Sequence, residues 1–330
     1  MREVEFSAGQ LIALLLKGDA FPGAAILDSC GVGHVGSHLL IAGREPSEGL
    51  EIKDKDVAET LATLDHIMSQ DRAAIFTISY DFGARMLGIE PDGESSEPDV
   101  YIATFDSLLI HDYDTGRTSQ IGATRELPAP MSEGGVALPQ GRSSLSSNFS
   151  KTDYVAAIKE IQELIRDGFT YQTNLTHQLT AALPESLTPE AIFHTLRQAH
   201  PTPFAAFIRR LGSTVVSASP ERFFRIHGDA ISTSPIKGTR RRGETRAGDL
   251  ALRQELLASE KDRAENTMIV DLLRNDLGRV CEYGSVTVEK LCDLEEHPTL
   301  FHLVSTVNGK LRADARFSDI LWALFPCGSI

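Results

Sequence analysis

Lys237 lies in a segment whose composition can make a lysine reactive. Residues 234–243 read SPIKGTRRRG, with apolar, proline and glycine neighbours close to the lysine and three arginines just after it. Burial disfavours a charged ammonium, so a lysine in such a setting becomes a neutral amine that can act as a nucleophile. The alternative is an exposed basic patch, and the segment taken by itself favours that alternative.

Glu221 stands at the start of a predicted strand, within the segment SASPERFF at residues 217–224. A carboxyl group among apolar neighbours keeps its proton to a higher pH than it does in water, and it can then serve as a general acid. The alternative is a surface pair between Glu221 and Arg222, or an ordinary turn carboxylate. Local sequence alone favours this second interpretation.

Asp262 and Glu265 are two candidate metal ligands on a predicted long helix. They are three residues apart and therefore share one face of that helix. Two carboxylates on one face would supply half of an oxygen-ligand site for Mg²⁺. Lys261 and Arg263 lie beside them, so ordinary solvated ion pairs are equally compatible with the pattern.

His302 lies among apolar residues in a predicted strand. The strand LFHLVSTV covers residues 300–307, and its alternation puts His302 on the same face as Leu300 and Val304. A single histidine on such a strand is more often structural than catalytic. The pattern favours the structural interpretation unless other segments point to the same site.

Residues 31–36 (GVGHVG) match the glycine spacing of a dinucleotide-binding loop. Such a loop requires a helix directly after it, because the first amides of that helix bind the pyrophosphate. Here the next residues, SHLLIA, predict a strand that Gly43 and Pro46 soon stop. We therefore predict a loop or hairpin and no nucleotide site.

The composition excludes several classes of protein. The 330 residues are 42% hydrophobic and 24% charged, as in ordinary globular proteins. The net charge of −14 repels nucleic acid and anionic lipid, so we expect no nucleic-acid partner and no membrane. The start of the chain does not look like a secretory signal, and the four scattered cysteines predict reduced thiols. A cytoplasmic protein is expected.

Strand and helix patterns that do not alternate regularly predict an α+β protein. We predict an N-terminal subdomain at residues 1–125, a linker rich in Pro, Gly and Ser at 126–150, and a catalytic subdomain at 151–330. In the second part we predict one helix at 151–167, another at 249–277, a strand at 172–180, and a hairpin turn at Asn308-Gly309.

Several of these segments together resemble one family, the chorismate-utilising enzymes, which include anthranilate synthases, aminodeoxychorismate synthase component I and isochorismate synthases. The matching segments, in order, are residues 78–83 (ISYDFG), 171–175 (YQTNL), 219–223 (SPERF), 235–240 (PIKGTR), 262–276 (DRAEN through DLLRND), 302–307 (HLVSTV) and 325–330 (FPCGSI). Each is weak alone, but seven in the family's order are specific. The resemblance implies the chorismate-binding fold, with two antiparallel sheets packed face to face and helices outside.

The resemblance also implies an activity and its residues. A lysine at position 237 is similar to aminodeoxychorismate synthase component I, whereas anthranilate synthases carry alanine there. By that resemblance Lys237 attacks chorismate, Glu221 protonates the departing hydroxyl, and ammonia then displaces the lysine. Glu265, with Asp262 nearby, would hold Mg²⁺, while Thr239 and the backbone at Gly238 would contact the substrate. His302 matches the family's active-site histidine.

The family's ammonia normally comes from a separate glutamine amidotransferase subunit, and no cysteine here lies in a Gly-x-Cys-x-Gly turn. The family pattern continues beyond residue 330 with a further metal carboxylate and substrate contacts, so an incomplete catalytic subdomain is expected. Two alternatives remain open. One is an anthranilate synthase or another chorismate-converting enzyme, and the other is a catalytically incomplete fragment that keeps only docking or ligand binding.

Overall fold

The computed structural model describes residues 1–17, 23–34, 36, 38–90, 95–130 and 144–329. Its strands are β1 (Arg2–Val4), β2 (Ala25–Asp28), β3 (Leu39–Gly43), β4 (Glu48–Ile52), β5 (Ala73–Ile78), β6 (Val100–Phe105), β7 (Ser107–Asp112), β8 (Arg117–Gly122), β9 (Leu145–Ser147), β10 (Leu179–Ala181), β11 (Phe204–Arg209), β12 (Thr214–Ser219), β13 (Arg222–His227), β14 (Ala230–Ser234), β15 (Ile236–Arg241), β16 (Thr287–Glu296) and β17 (Leu300–Lys310). Its helices are α1 (Ala8–Lys17), α2 (Val57–Met68), α3 (Tyr80–Met86), α4 (Lys151–Arg166), α5 (Pro189–Ala199), α6 (Arg246–Ala258), α7 (Glu260–Gly278) and α8 (Phe317–Leu324).

The largest sheet is antiparallel and has two differently covered faces. Its strand order is β1-β8-β7-β3-β2-β11-β12. Phe207 of β11 packs with Leu11 of α1 and Phe193 of α5, whereas the next residue, Ile208, packs against the sheet β4-β6-β5 through Tyr101. Since neighbouring strand residues point to opposite faces, helices cover one face and a second sheet covers the other.

The third sheet carries most of the candidate site residues and is built around β17. One edge of β17 pairs with β15 along its first residues and with β14 along its last ones, and its other edge pairs with β16. Helices α7 and α8 bury their apolar residues against this sheet, among them Ile269, Leu273 and Leu324, together with Val307 of β17. Antiparallel sheets with helices packed outside them confirm the predicted α+β fold class.

The two predicted subdomains share the seven-stranded sheet. Strand β11 pairs with β2 in a register that sets Ala205 opposite Asp28 and Ile208 opposite Ala25. The predicted boundaries, 1–125, 126–150 and 151–330, stay predictions of the sequence. Within the predicted linker, residues 131–143 lie outside the described residues, and β9 pairs with β10.

The structure agrees with the local predictions for helix α4, the glycine-rich loop and the cysteines. Helix α4 ends within one residue of its predicted bounds, and the side chain of Ser150 accepts a hydrogen bond from the amide of Asp153 at its start. The strands before and after the glycine-rich loop, β2 and β3, pair directly as antiparallel neighbours. The described residues between them contain no helix, as predicted. All four cysteines are free.

The predicted helix at 249–277 is wrong as one element, because Ser259 divides it into α6 and α7. Ser259 has an extended backbone (φ −69°, ψ 103°), which cannot continue a helix. Its side chain accepts a hydrogen bond from the amide of Asp262, so it caps the new helix. The predicted strand at 172–180 is also shorter than expected, since only Leu179–Ala181 pairs.

The predicted turn at Asn308-Gly309 is wrong, because both residues lie inside β17. Asn308 pairs with Thr287 on one side and Ser232 on the other, and Gly309 pairs with Ile231. A Cβ at Gly309 would come 2.5 Å from the sulfur of Cys281. The glycine is therefore required by close packing rather than by a turn.

None of the helices in the described part of the chain combines the length and the apolar composition that crossing a bilayer requires.

Candidate active site

Lys237 lies in an irregular part of β15 that turns its side chain into the protein. The pairing of β15 with β17 shifts register between Ile236 and Thr239, and Gly238 between them has a φ of +88°. A Cβ at Gly238 would lie 2.9 Å from the Cβ of Asp262, so only glycine fits. Such bulges redirect side chains locally. The Lys237 side chain is 14% exposed, which excludes the solvated basic patch for this residue.

The Lys237 amine has two acceptors. Nζ donates a hydrogen bond of 2.8 Å to the backbone carbonyl of Ser329, and it lies 3.6 Å from Oε1 of Glu265. That same Oε1 accepts a 3.0 Å hydrogen bond from the side-chain amide of Gln172. The matching segments around residues 172, 237, 265 and 329 therefore meet at one amine.

Glu221 lies in the turn between β12 and β13, beside the same cluster. Its Oε1 accepts a 3.1 Å hydrogen bond from the amide of Ile236, the residue before Lys237. Burial raises the pKa of Glu221, while the bonds from Ile236 and the Ser329 side chain and the charge of Lys237 oppose that rise. A carboxyl that holds its proton to higher pH is what a general acid requires.

Asp262 and Glu265 share a face of α7, as predicted, but they make different contacts. Oδ2 of Asp262 lies 3.1 Å from the guanidinium of Arg240, whereas Glu265 is contacted by Lys237 and Gln172. Asp262 thus balances the positive charge of Arg240, which lies on β15. Its predicted part in metal binding stays a prediction, and Glu265 is the carboxylate beside the amine.

Mg²⁺ prefers oxygen ligands in a near-octahedral arrangement. Within the described ranges, no three His, Cys, Asp or Glu side chains converge on one point. Mg²⁺ in enzymes commonly uses one or two protein carboxylates and takes its other oxygens from water and substrate. Glu265 fits that pattern as a single carboxylate.

His302 and Thr239 face each other across β17 and β15. They form a cross-strand pair, and Oγ1 of Thr239 lies 2.9 Å from Nδ1 of His302. Burial, together with the nearby His297, lowers the pKa of His302 to about 4, so the imidazole is neutral near pH 7. The rings of His297 and His302 are 5.2 Å apart. His302 is thus a neutral hydrogen-bonding group.

The structure brings Lys237, Glu221 and Glu265 into one contact network, with Thr239 and His302 on the adjoining positions of the same strands. Sequence reasoning assigned no role to Gln172 or Ser329, although both lie in the matching segments. Gln172 contacts a residue 93 positions away, and Ser329 contacts one 92 positions away. The only signal for either residue in the sequence was that it lies in a matching segment.

Comparison with known proteins gives the family and the fold. A chain of 33% identity, aminodeoxychorismate synthase component 1 of Bacillus subtilis, aligns with 78% of this chain and 58% of its own length. Aminodeoxychorismate synthase of Streptomyces pristinaespiralis is 47% identical over 54% of this chain and 24% of its own length. Anthranilate synthase component 1 1 of Haloarcula marismortui is 32% identical over 87% of this chain and 67% of its own length.

Among solved structures, anthranilate synthase component I from Streptococcus pneumoniae superposes with a TM-score of 0.74 at 23% identity, covering 90% of this chain and 74% of that one. This likeness confirms the fold expected from the sequence. The chain covers less than two thirds of the length of the first two curated relatives. The family model described as chorismate binding enzyme matches residues 29–330, and the chain therefore belongs to the chorismate binding enzyme family.

Proposed function

We propose that this chain carries the activity of aminodeoxychorismate synthase component 1, the conversion of chorismate and ammonia to 4-amino-4-deoxychorismate. The observation that supports it most is the nearly buried amine of Lys237, held beside Glu265 and close to Glu221. Related anthranilate synthases resemble this segment but have alanine at that position. Relatives named aminodeoxychorismate synthase, at 33% and 47% identity, add support.

In the proposed reaction, the nitrogen lone pair of the Lys237 amine forms a bond to C2 of chorismate. The ring double bonds shift, the C4–O bond breaks, and the proton of Glu221 leaves with the oxygen as water. Splitting a difficult substitution through a covalent intermediate lowers its barrier, and a positioned acid is needed because hydroxide is a poor leaving group.

Ammonia then forms a bond to C4, the double bonds shift back, and the bond from C2 to Lys237 breaks. The lysine returns as a neutral amine, and the new C4 ammonium gives one proton to Glu221, which restores the acid. Thr239, the backbone at Gly238 and the neutral His302 would orient the substrate. The net change is the replacement of a hydroxyl by an amino group with release of one water.

Glu265 would hold Mg²⁺ in this proposal. The metal, when bound, would supply positive charge against the carboxylates of chorismate. Asp262 would lie near the metal on the same face of α7, with Arg240 paired to its carboxylate.

For the ammonia we propose a separate glutamine amidotransferase subunit, in the cytoplasm, with free ammonia as a substitute. Three of the four cysteines, Cys281, Cys292 and Cys327, are buried, and burial raises the pKa of each thiol. A thiol with a raised pKa is a poor nucleophile. This supports a glutaminase on another chain.

The decisive test is mass spectrometry of the protein incubated with chorismate without ammonia. We expect an added mass of chorismate minus water, located on Lys237 by peptide mapping. Lys237→Ala should remove the adduct and lower product formation by at least about 10²-fold, because the covalent route is lost. The matched control is Lys261→Ala, an exposed lysine, which should behave as the parent chain.

The second candidate is anthranilate synthase, which the 32% identical relative favours. Adding ammonium and identifying the product separates the two activities. Anthranilate as the product of the unchanged chain, or an adduct on a residue other than Lys237, would contradict the proposal.

A further inference from the structure

His302 lies between two polar side chains on one face of the third sheet. It pairs across the strands with Thr239 of β15 on one side and with Glu295 of β16 on the other. Directly opposite residues of antiparallel strands share a face, so these three side chains form a row across the sheet. The proposed function uses the imidazole of His302 to orient the substrate, which requires that the plane of this ring be fixed.

The hydrogen bond to Thr239 does not fix that plane by itself. Nδ1 of His302 lies 2.9 Å from Oγ1 of Thr239. A hydroxyl can donate or accept and rotates to follow its partner, so this bond holds one nitrogen and lets the ring tilt about it. A single orientation requires a second contact on the ring itself.

The ring of His297 supplies a second contact. The two histidine rings meet edge to face, with their centroids 5.2 Å apart and their planes 66° apart. Edge-to-face packing is a preferred arrangement of aromatic rings, and it is lost when either ring tilts. Because His297 is only 5% exposed, water does not replace this contact.

The turn between β16 and β17 holds the backbone of His297 in place. Its amide donates a 2.8 Å bond to the carbonyl of Leu300, and its carbonyl accepts a 2.9 Å bond from the guanidinium of Arg242. The same guanidinium lies over the ring of Phe301, 4.4 Å from the ring centroid. Since Phe301 directly precedes His302, Arg242 joins the turn to the strand that carries His302.

The side chain of His297 is held by Glu295. Nε2 of His297 lies 3.2 Å from Oε2 of Glu295, and because a carboxylate only accepts, Nε2 carries the hydrogen. Among the residues that the structure describes, Nδ1 of His297 has no hydrogen-bond partner. One hydrogen bond and the contact with His302 therefore set the orientation of this ring.

We propose that His297 is a positioning residue, whose ring packs against His302 and fixes the plane of that imidazole for the substrate. The inference rests on the proposed function for the role of His302, and it adds no group that touches chorismate. Glu295 and Arg242 act behind His297, by holding its ring and its backbone.

The test separates the ring of His297 from its hydrogen bond. His297→Phe keeps an aromatic ring and loses the bond to Glu295, His297→Gln keeps an N–H for that bond and loses the ring, and His297→Leu loses both. In the two variants without a ring, kcat should fall between about 10-fold and 100-fold with KM within about threefold of the parent, because the bound substrate meets a tilted imidazole. His297→Phe should keep kcat within about threefold of the parent.

The motion of the His302 ring gives a readout without turnover. In protein labelled with ¹³C-histidine and assigned with His302→Gln, NMR relaxation gives an order parameter for the Cε1–H bond of His302. We expect a lower order parameter in both variants without a ring. It should match the parent in His297→Phe and in His227→Gln, the control at an exposed histidine.

Far-UV circular dichroism identifies the folded variants, and the glutamine and leucine variants differ in polarity so that the loss of the ring is tested in two ways. Parent-like kcat or an unchanged order parameter in a folded variant without a ring overturns the proposal. An equal loss in His297→Phe overturns it as well. Absence of product from the parent chain refutes only the proposed function, because the order parameter does not depend on turnover.

Discussion

At the scale of single residues, burial shifts the pKa values of two groups in the site in opposite directions. It raises the pKa of Glu221 and lowers that of His302 to about 4. The carboxyl therefore holds its proton to a higher pH than a free glutamate does, while the imidazole is uncharged near neutral pH. Surroundings that move the pKa values of two titratable groups in opposite directions are typical of sites that carry out acid–base chemistry. This pattern supports Glu221 as the proposed acid and His302 as an orienting group.

Protonation of buried His302 predicts a pH-dependent stability. Its folded-state pKa of about 4 lies below the ordinary value of 6.5, so between those values the unfolded chain binds a proton that the folded chain does not. The free energy of unfolding should fall as pH drops from about 6.5 to 4, with a contribution from His302 on the order of 2 kcal/mol.

Urea unfolding at several pH values measures this contribution. His302→Gln should flatten the fall between pH 6.5 and 4, while the exposed His227→Gln serves as the control and should leave it unchanged. Burial also lowers the pKa of His34 to about 4. The free energy of unfolding of both variants should therefore still fall between pH 6.5 and 4 through the contribution of His34. An equally steep fall in His302→Gln would contradict the prediction.

At the scale of elements, α7 is fixed to the third sheet by a buried polar network. The side chain of Asn266 is fully buried, donates a 3.2 Å bond to the carbonyl of Leu303, and accepts one from the hydroxyl of Ser305. That hydroxyl accepts a 2.9 Å bond from the amide of Cys292 in β16. Because Glu265 precedes Asn266, the network also sets where the carboxylate lies on the helix.

Replacing Asn266 tests this attachment. Asn266→Ala removes the acceptor of the buried Ser305 hydroxyl and the side-chain donor to the Leu303 carbonyl, so the free energy of unfolding should fall by about 2 to 4 kcal/mol. Asn275→Ala, at an exposed position of the same helix, should change it by less than about 0.5 kcal/mol. Thermal or urea unfolding measures both, and similar effects of the two variants would show that the network contributes little.

At the scale of the whole molecule, one sheet joins the parts of the chain before and after the predicted linker. Strand β11 lies between β2 and β12, and its Phe207 is buried against α1 and α5. Helix α8 packs against α2 through a second cluster that contains Leu64 and Leu321. Both halves of the chain therefore contribute to shared cores, which predicts cooperative unfolding.

The single tryptophan, Trp322 of α8, makes this measurable. Phe105→Ala should lower the free energy of unfolding by about 3 to 5 kcal/mol, because it empties a core position in the half of the chain before the linker, whereas Trp322 reports on the half after it. If the halves unfold together, the Trp322 fluorescence transition and the far-UV circular dichroism transition shift by the same amount. A fluorescence transition that stays at the parent's midpoint would show that the halves unfold separately.

Local pattern alone predicted much of this protein. The helix α4 and the strand after the glycine-rich loop both follow from neighbours within a few residues. The order of the matching segments also singled out Lys237, Glu221, Glu265 and His302 before any contact was known. Local steric and hydrogen-bonding preferences act over one turn or one strand, so the sequence records them directly.

Tertiary structure decided what those residues do to one another. Residues 92 and 93 positions apart supply the contacts of Ser329 with Lys237 and of Gln172 with Glu265. The pairing of Asp262 with Arg240 and the place of Gly309 inside β17 likewise depend on how α7 and Cys281 pack on the sheet. Such contacts arise from sheet register and helix packing, which no short stretch of sequence specifies.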